Sequence, residues 1–367
     1  MEEGYDHGGD IYSQPVELDF SANINPLGLP AGVKEALNRC IAKGGCSVYP
    51  DSRCSGLRRA LGAYYHVPES WLLCGNGAAD LIFGLAQALR PRRALVMAPS
   101  FSEYGKALLG AGCRTEYFYL KEEEGFVPDM DGFCRRIEEG GYDLVFFCNP
   151  NNPTGISAGR EEVLAAARAC RRAGTFLAVD ECFLEFLEDG REKSLTPCLA
   201  ELTGVMVFGA FTKMYAMAGL RLGYALCRDE DLLGKMCGGR QPWPVSGPAQ
   251  AAGEAALKEE AYRRESRRMI GRERQRLAEG IGRLGFRVYS SEANFLLFKD
   301  MGPGPDQWLC RALLEKGILI RGCGNYPGLD GSYYRVCVRC GEENQELLRK
   351  MEAAVQERRS GKWQNPS

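Results

Sequence analysis

From about residue 57 to residue 235 the chain alternates two kinds of segment. "RALVMAP", "DLVFFCNP", "TFLAVDE" and "VMVFGAF" are short, continuously apolar runs without polar alternation, which is how strands buried on both faces read. Between them, "GLRRALGAYY", "AADLIFGLAQALR", "EYGKALLGAG" and "EEVLAAARACRRAG" repeat their apolar positions at helical spacing. The alternation predicts an α/β fold with a mainly parallel sheet covered by helices. In such a fold, functional residues gather where parallel strands end.

The pattern breaks at "PWPVSGPAQ", residues 242 to 250, and a long helical stretch then runs to about Leu284. Beyond it, "FRVYSSEANFLLFKD", "GILIRGCGNYPG" and "YYRVCVRC" alternate with the helical "DQWLCRALLEKG" and "NQELLRKMEAAVQERR", which suits a smaller α/β domain. The expected division is an arm and the start of the small domain over 1–45, a large domain over 46–240, a linker helix over 241–285 and a small C-terminal domain over 286–367.

Composition narrows the function classes. With 46 basic and 48 acidic residues among 367, the net charge of -2 provides no field for a nucleic-acid backbone or an anionic membrane. The basic run "RRESRRMIGRERQR", 263 to 276, reads as the wet face of a helix laced by Glu265 and Glu273. No run approaches the roughly 18 apolar residues of a membrane span, so a soluble cytoplasmic protein is expected. The sixteen cysteines are scattered, and Cys337 and Cys340, three residues apart in a strand-like run, point to opposite faces of a strand. With only His7 and His66 available besides, no metal site is expected.

Five local features fall at strand ends or loops. "CGNGAAD", 74 to 80, is a glycine-rich turn opening a helix, whose free N–H groups suit a phosphate. "APSFSEYG" places Tyr104 just past a strand, with a ring able to stack on a flat heterocycle or to pack in the core. "CNPNNPTG" is a rigid polar turn, and "LAVDECF" ends a buried strand in Asp180, where an unpaired carboxylate is costly. "FTKMYAMAGLRLGY" brings Thr212, Lys213 and Arg221 close together in the chain.

In this order and spacing the five features resemble the fold-type I pyridoxal-phosphate enzymes of the histidinol-phosphate aminotransferase-like branch, over nearly the whole chain. The resemblance implies a large domain with a seven-stranded-type sheet and pyridoxal 5'-phosphate as cofactor. It casts Lys213 as the catalytic residue, whose amine takes the cofactor aldehyde, and Asp180 as the partner of the pyridine nitrogen. Asn152 would hold the ring hydroxyl and Tyr104 would stack on the ring. Gly77 and Ala78, with Thr212 and Arg221, would hold the phosphate. Tyr49 in "VYPD" matches a tyrosine that reaches the phosphate from a neighbouring subunit, so a homodimer with shared sites is implied.

The segments "HGGD", "LDFSANINPLGLP", "PWPV" and "ILIRGCGNYPGLDGSYYRVCVR" resemble the L-threonine-O-3-phosphate decarboxylases of cobalamin biosynthesis. Phe183 stands where histidinol-phosphate aminotransferases usually carry a tyrosine. The resemblance implies a small phosphorylated amino acid as substrate, with Arg335, Arg321, Asn152, His7 and Asn23 around it, and the N-terminal arm folded over the mouth of the site. A carboxylate and a phosphomonoester need two anion clamps, and Arg335 and Arg321 both lie in apolar strand runs. Histidinol-phosphate aminotransferase shares the anchor set and stands as the alternative. An effector-sensing regulator without catalysis is the third reading, although no room for a DNA-binding domain precedes Asp19.

Overall fold

The computed structural model describes residues 8–13, 15–302 and 305–361. His7 lies outside the described residues. The strands are β1 (Leu18–Asp19), β2 (Leu72–Gly75), β3 (Arg93–Ala98), β4 (Arg114–Tyr119), β5 (Leu144–Cys148), β6 (Phe176–Asp180), β7 (Val205–Ala210), β8 (Gly223–Cys227), β9 (Arg287–Val288), β10 (Phe295–Lys299), β11 (Ile318–Leu319), β12 (Arg321–Gly322) and β13 (Tyr333–Cys337).

Seven of them form one sheet in the order β2-β8-β7-β6-β5-β3-β4, in which only β8 runs against its neighbours. The unbroken apolar runs follow from burial on both faces. Leu144, Phe146, Ala178, Met206 and Phe208 face one helical layer, whereas Val145, Phe147, Leu177, Val179 and Val207 face the other. Because β3, β5, β6 and β7 are parallel, their ends at Ala98, Cys148, Asp180 and Ala210 lie along one edge of the sheet.

A second, antiparallel sheet has the order β12-β13-β10-β9. Leu296, Phe298, Tyr334 and Val336 on one face pack with Leu277, Ile281, Trp308, Leu347 and Met351 from its covering helices. The alternate positions Phe295, Leu297 and Tyr333 belong to the core of the large sheet. The two-residue β1 pairs in parallel with β11, and Phe20 is buried in the smaller core.

Two details differ from the sequence reading. The long helical stretch is two helices, Gly247–Ala256 and Glu260–Arg283. They part where the Glu259 carboxylate accepts from the N–H of Gly32, at the start of helix Ala31–Ala42, at 2.9 Å. The basic run is not wholly wet either. Arg264 and Arg268 pair with Glu260 and Glu265 at the surface, but Arg263 is buried and donates to the Tyr215 hydroxyl at 3.0 Å. Glu273 is buried beneath Arg272 and Arg276. Among the described residues no helix is long and apolar enough to cross a membrane.

Candidate functional site

A cavity of about 390 Å³ opens at the strand ends, and Asn23, Gly77, Ala78, Asn152, Asp180, Thr212, Lys213, Arg221, Arg321 and Arg335 all line it. Residues from six separate stretches therefore meet in one place.

Gly77 starts the helix Gly77–Leu89 with φ +80. A side chain there would be doubly obstructed: the backbone is left-handed, and a Cβ would lie 2.7 Å from the guanidinium of Arg221. The open space keeps the first amides of a thirteen-residue helix exposed beside a cation, the pairing that binds a phosphate group. Gly223 at the start of β8 is equally constrained, since its Cβ would lie 2.3 Å from the N of Ala78.

Lys213 sits in the short helix Phe211–Met214 that follows β7. Its carbonyl accepts from the N–H of Asn25 at 3.1 Å, and the Asn25 side chain donates to the carbonyl of Met214 at 2.8 Å. The segment 23–25, with Asn23 and Asn25 buried, is thereby fastened to the lysine turn. Burial, reinforced by the nearby guanidinium groups of Arg335 and Arg221, pushes the Lys213 amine down to about 8. A neutral amine is the nucleophilic form.

Asp180 closes β6, and its carboxylate accepts from the Tyr104 hydroxyl at 2.6 Å and from the N–H of Cys182 at 2.9 Å. This corrects the expectation for Tyr104. Its ring is fully buried against Phe146, 4.8 Å away and nearly parallel, and does not line the cavity. Phe101 does, because it precedes the helix Ser102–Gly110 and faces the strand ends, whereas Tyr104 lies in that helix and turns back onto the sheet.

Arg335, on β13, is 5% exposed. It donates to the Asn152 side-chain oxygen, to the carbonyl of Ser21 at 2.8 Å and, at 3.4 Å, to the Tyr326 hydroxyl. All three acceptors are neutral, its Nε has no partner, and among the described residues no carboxylate lies within ion-pairing distance. A buried cation so placed leaves a charge to be met by an anion in the cavity. Arg321 lies beside it on β12, in register with Arg335, and donates to Asn325 at 2.8 Å. The Asn23 side-chain oxygen is buried without a partner.

Phe183 borders the cavity with its ring packed edge-on to Phe295 and 5.8 Å from the Lys213 amine. Gly8 and Ser21 lie at the mouth, and the N–H of Gly9 donates to the Ser21 hydroxyl at 2.7 Å. A Cβ on Gly8 would come 2.4 Å from the carbonyl of Ser21, so the glycine lets the arm lie this close. Tyr49 is not part of its own chain's cavity. It is 78% exposed and stacks on Trp243 at 4.2 Å.

The sequence reading did not select Phe101, Cys148, Cys182, Ser21 or Tyr326, which also line the cavity. Cys148 and Cys182 sit at or next to strand ends already marked by Asn152 and Asp180, and that position was the available signal. These residues fit a flat, phosphorylated aldehyde cofactor: a cradle that a Cβ would fill, a cation beside it, a lysine amine lowered to about 8 and a held carboxylate.

A family profile described as "Aminotransferase class I and II" matches residues 15–353. A Salmonella typhimurium protein named threonine-phosphate decarboxylase is 38% identical, with 93% of this chain and 94% of the relative covered. Histidinol-phosphate aminotransferase 1 of Cupriavidus pinatubonensis is 33% identical over 92% of this chain and 88% of its own. Among solved structures, the histidinol-phosphate aminotransferase from Clostridium acetobutylicum superposes with a TM-score of 0.85 at 29% identity, covering 93% of this chain and 99% of that one.

Proposed function

We propose a function on the premise that the chain belongs to the aminotransferase class I and II family: it is a pyridoxal 5'-phosphate-dependent decarboxylase. Its substrate is O-phospho-L-threonine and its products are carbon dioxide and (R)-1-amino-2-propanol O-2-phosphate, in cobamide biosynthesis. The Salmonella typhimurium relative supports the choice of substrate by its name. The observation that carries the reading is Arg335, a buried guanidinium with only neutral protein partners, in register with a second arginine in the same cavity.

When bound, the cofactor supplies an electron sink for a bond broken at the substrate α-carbon. The protein's part is to hold and select. The amides of Gly77 and Ala78, with Thr212 and Arg221, would take the cofactor phosphate, while Asp180, held by Tyr104 and Cys182, would pair with the pyridine nitrogen. Asn152, whose oxygen is engaged by Arg335, would offer its amide nitrogen to the ring hydroxyl. Phe101, which lines the cavity, would take the stacking role.

Arg335 holds the substrate carboxylate through a planar fork and Arg321 takes the phosphomonoester. Asn23 offers its unpaired oxygen to a substrate N–H. Fixing both ends decides which α-carbon bond stands in line with the sink. Loss of carbon dioxide leaves that carbon short of one proton, and Lys213, with its amine at about 8, delivers it. The enzyme acts as a cytoplasmic homodimer, in which the exposed Tyr49 completes the phosphate site of the second copy.

The test is to supply cofactor and O-phospho-L-threonine without a keto-acid acceptor. Stoichiometric carbon dioxide and amino-propanol phosphate are expected. The shared fold with the Clostridium acetobutylicum structure supports a second reading, histidinol-phosphate aminotransferase. Turnover of histidinol phosphate with 2-oxoglutarate, and none of phosphothreonine, would establish it instead.

A further inference from the structure

Glu122 lies in the short helical turn Glu122–Glu124, just past the end of β4 in the large sheet, within the run "KEEEG". Three glutamates in a row on a surface turn would ordinarily be solvated. Glu123 and Glu124 follow that rule, but the Glu122 side chain is only 26% exposed and its carboxylate collects donors from the small sheet. The hydroxyls of Tyr289 and Tyr333 each donate to it at 2.6 Å, and Lys299 at 2.9 Å. Arg287 adds a longer contact at 3.3 Å. The ring of Phe126, four residues on, packs edge-on against Tyr289 and Tyr333, sealing the apolar side of the knot.

The four donors are not scattered over the small sheet. Lys299 on β10 stands opposite Tyr333 on β13, and Arg287 on β9 stands opposite Lys299. One carboxylate therefore ties three adjacent strands to the large domain. Strand periodicity carries the consequence to the cavity. Tyr333 and Arg335 are two residues apart on β13 and share a face, as do Lys299 and Leu297 on β10, with Leu297 opposite Arg335. The face fastened by Glu122 is the face that presents Arg335.

We infer that Glu122 is a positioning residue for the anion clamp: by holding Tyr333, Lys299 and Tyr289 it fixes the end of β13 and so sets the reach of Arg335 into the cavity. Glu122 is absent from the cavity lining, so it acts through Arg335. The consequence for the substrate rests on the reading of Arg335 given above. Losing several hydrogen bonds to one charged group leaves the small sheet free to tilt about its remaining contacts, at the cost of the aligned fork.

The experiment compares wild type with Glu122→Ala, Glu122→Gln, Tyr333→Phe and Lys299→Met in the cofactor-loaded enzyme. The expected pattern for Glu122→Ala is a rise in KM for O-phospho-L-threonine on the order of tenfold, with kcat changed by less than about threefold. Glu122→Gln should recover part of the loss, since its oxygen still accepts from a tyrosine. Tyr333→Phe and Lys299→Met, which each remove one donor, should shift KM in the same direction by less. Amide hydrogen exchange over residues 333–337 is measured in parallel without substrate, and should accelerate in Glu122→Ala while the strands of the large sheet stay protected.

The exchange result decides the knot even if phosphothreonine proves not to be the substrate, because it needs no turnover. Unchanged exchange over 333–337 in Glu122→Ala overturns the inference, and so does accelerated exchange with KM unmoved in an enzyme that decarboxylates phosphothreonine. If Glu122→Ala fails to fold, the graded KM shifts of Tyr333→Phe and Lys299→Met decide it, and their absence overturns it.

Discussion

The phenol of Tyr104 donates to one oxygen of Asp180 while the N–H of Cys182 donates to the other, so both carboxylate oxygens are held from within the protein. Two donors on separate oxygens fix the plane of the carboxylate at the end of β6, where it lines the cavity. Tyr104→Phe keeps the ring stacked on Phe146 and removes only the donor. A hydrogen bond to a charged group contributes about 1.5 to 3 kcal/mol. The expected outcome is a fall in kcat of roughly tenfold with the protein still folded and the cofactor still bound, whereas Asp180→Ala should lose turnover altogether. Steady-state rates with a titration of the cofactor's visible absorbance check both. A Tyr104→Phe enzyme with wild-type kcat would mean that the cavity wall holds Asp180 without the phenol.

Much of this site is legible along the chain because its residues sit at the ends of strands buried on both faces, and such strands announce themselves as apolar runs. Asp180 ends one, and Asn152 and Lys213 each follow one. The errors share a different cause, which is rotation. Whether Phe101 or Tyr104 faces the cavity depends on where the first turn of helix Ser102–Gly110 begins, and the sequence "SFSEY" permits either. Arg263 and Glu273 read as surface charges because the basic run hides which side of helix Glu260–Arg283 meets the core. Glu122 was invisible for a third reason. Its partners are Tyr289, Lys299 and Tyr333, more than 160 residues further on, and only the packed fold brings them together.

On the proposed function, the Lys213 amine, lowered to about 8 by burial and two neighbouring arginines, should make cofactor capture pH-dependent. Protonated amine is not a nucleophile, so the neutral fraction rises as pH increases through the folded value. The rate at which cofactor-free protein takes up pyridoxal phosphate, followed by visible absorbance, should rise between pH 7 and 9 with its midpoint near the stated value. Arg335→Met should move that midpoint upward, since Arg335 is the largest charge effect holding it down. A midpoint near 10 in the wild type would show that the amine is solvated.

Arg335→Lys preserves charge but not shape. The wild-type guanidinium spans Asn152, Ser21 and Tyr326, and its Nε is buried without a partner. A lysine ammonium is a point charge that cannot keep these contacts and also present two parallel donors to a carboxylate. The expected loss in kcat/KM is about a hundredfold or more, corresponding to roughly 3 kcal/mol. Cofactor affinity should stay within about twofold, because the cofactor phosphate is assigned to other residues. Kinetics with near-normal kcat/KM would return Arg335 to a structural role.

Glu181, next to Asp180, gives a prediction about stability. Its carboxyl is half-buried and accepts from the Ser194 hydroxyl at 2.6 Å and the N–H of Leu195 at 2.8 Å. Burial outweighs those donors, and the group is raised from 4.5 to about 7. The folded state therefore binds the proton more tightly than the unfolded chain. The stabilisation this gives is complete below about pH 4.5 and is lost as pH rises through about 7. Glu181→Gln is neutral at every pH, and its amide can still accept from Leu195 while Ser194 turns to accept from it. The variant should match or trail the wild type at pH 5 and gain on it steadily to pH 8, by up to about 3 kcal/mol. Urea unfolding of the cofactor-free proteins across that range measures the difference. Parallel stability curves for the two proteins would mean that Glu181 keeps its charge in the fold, and that water or Arg160 compensates the burial.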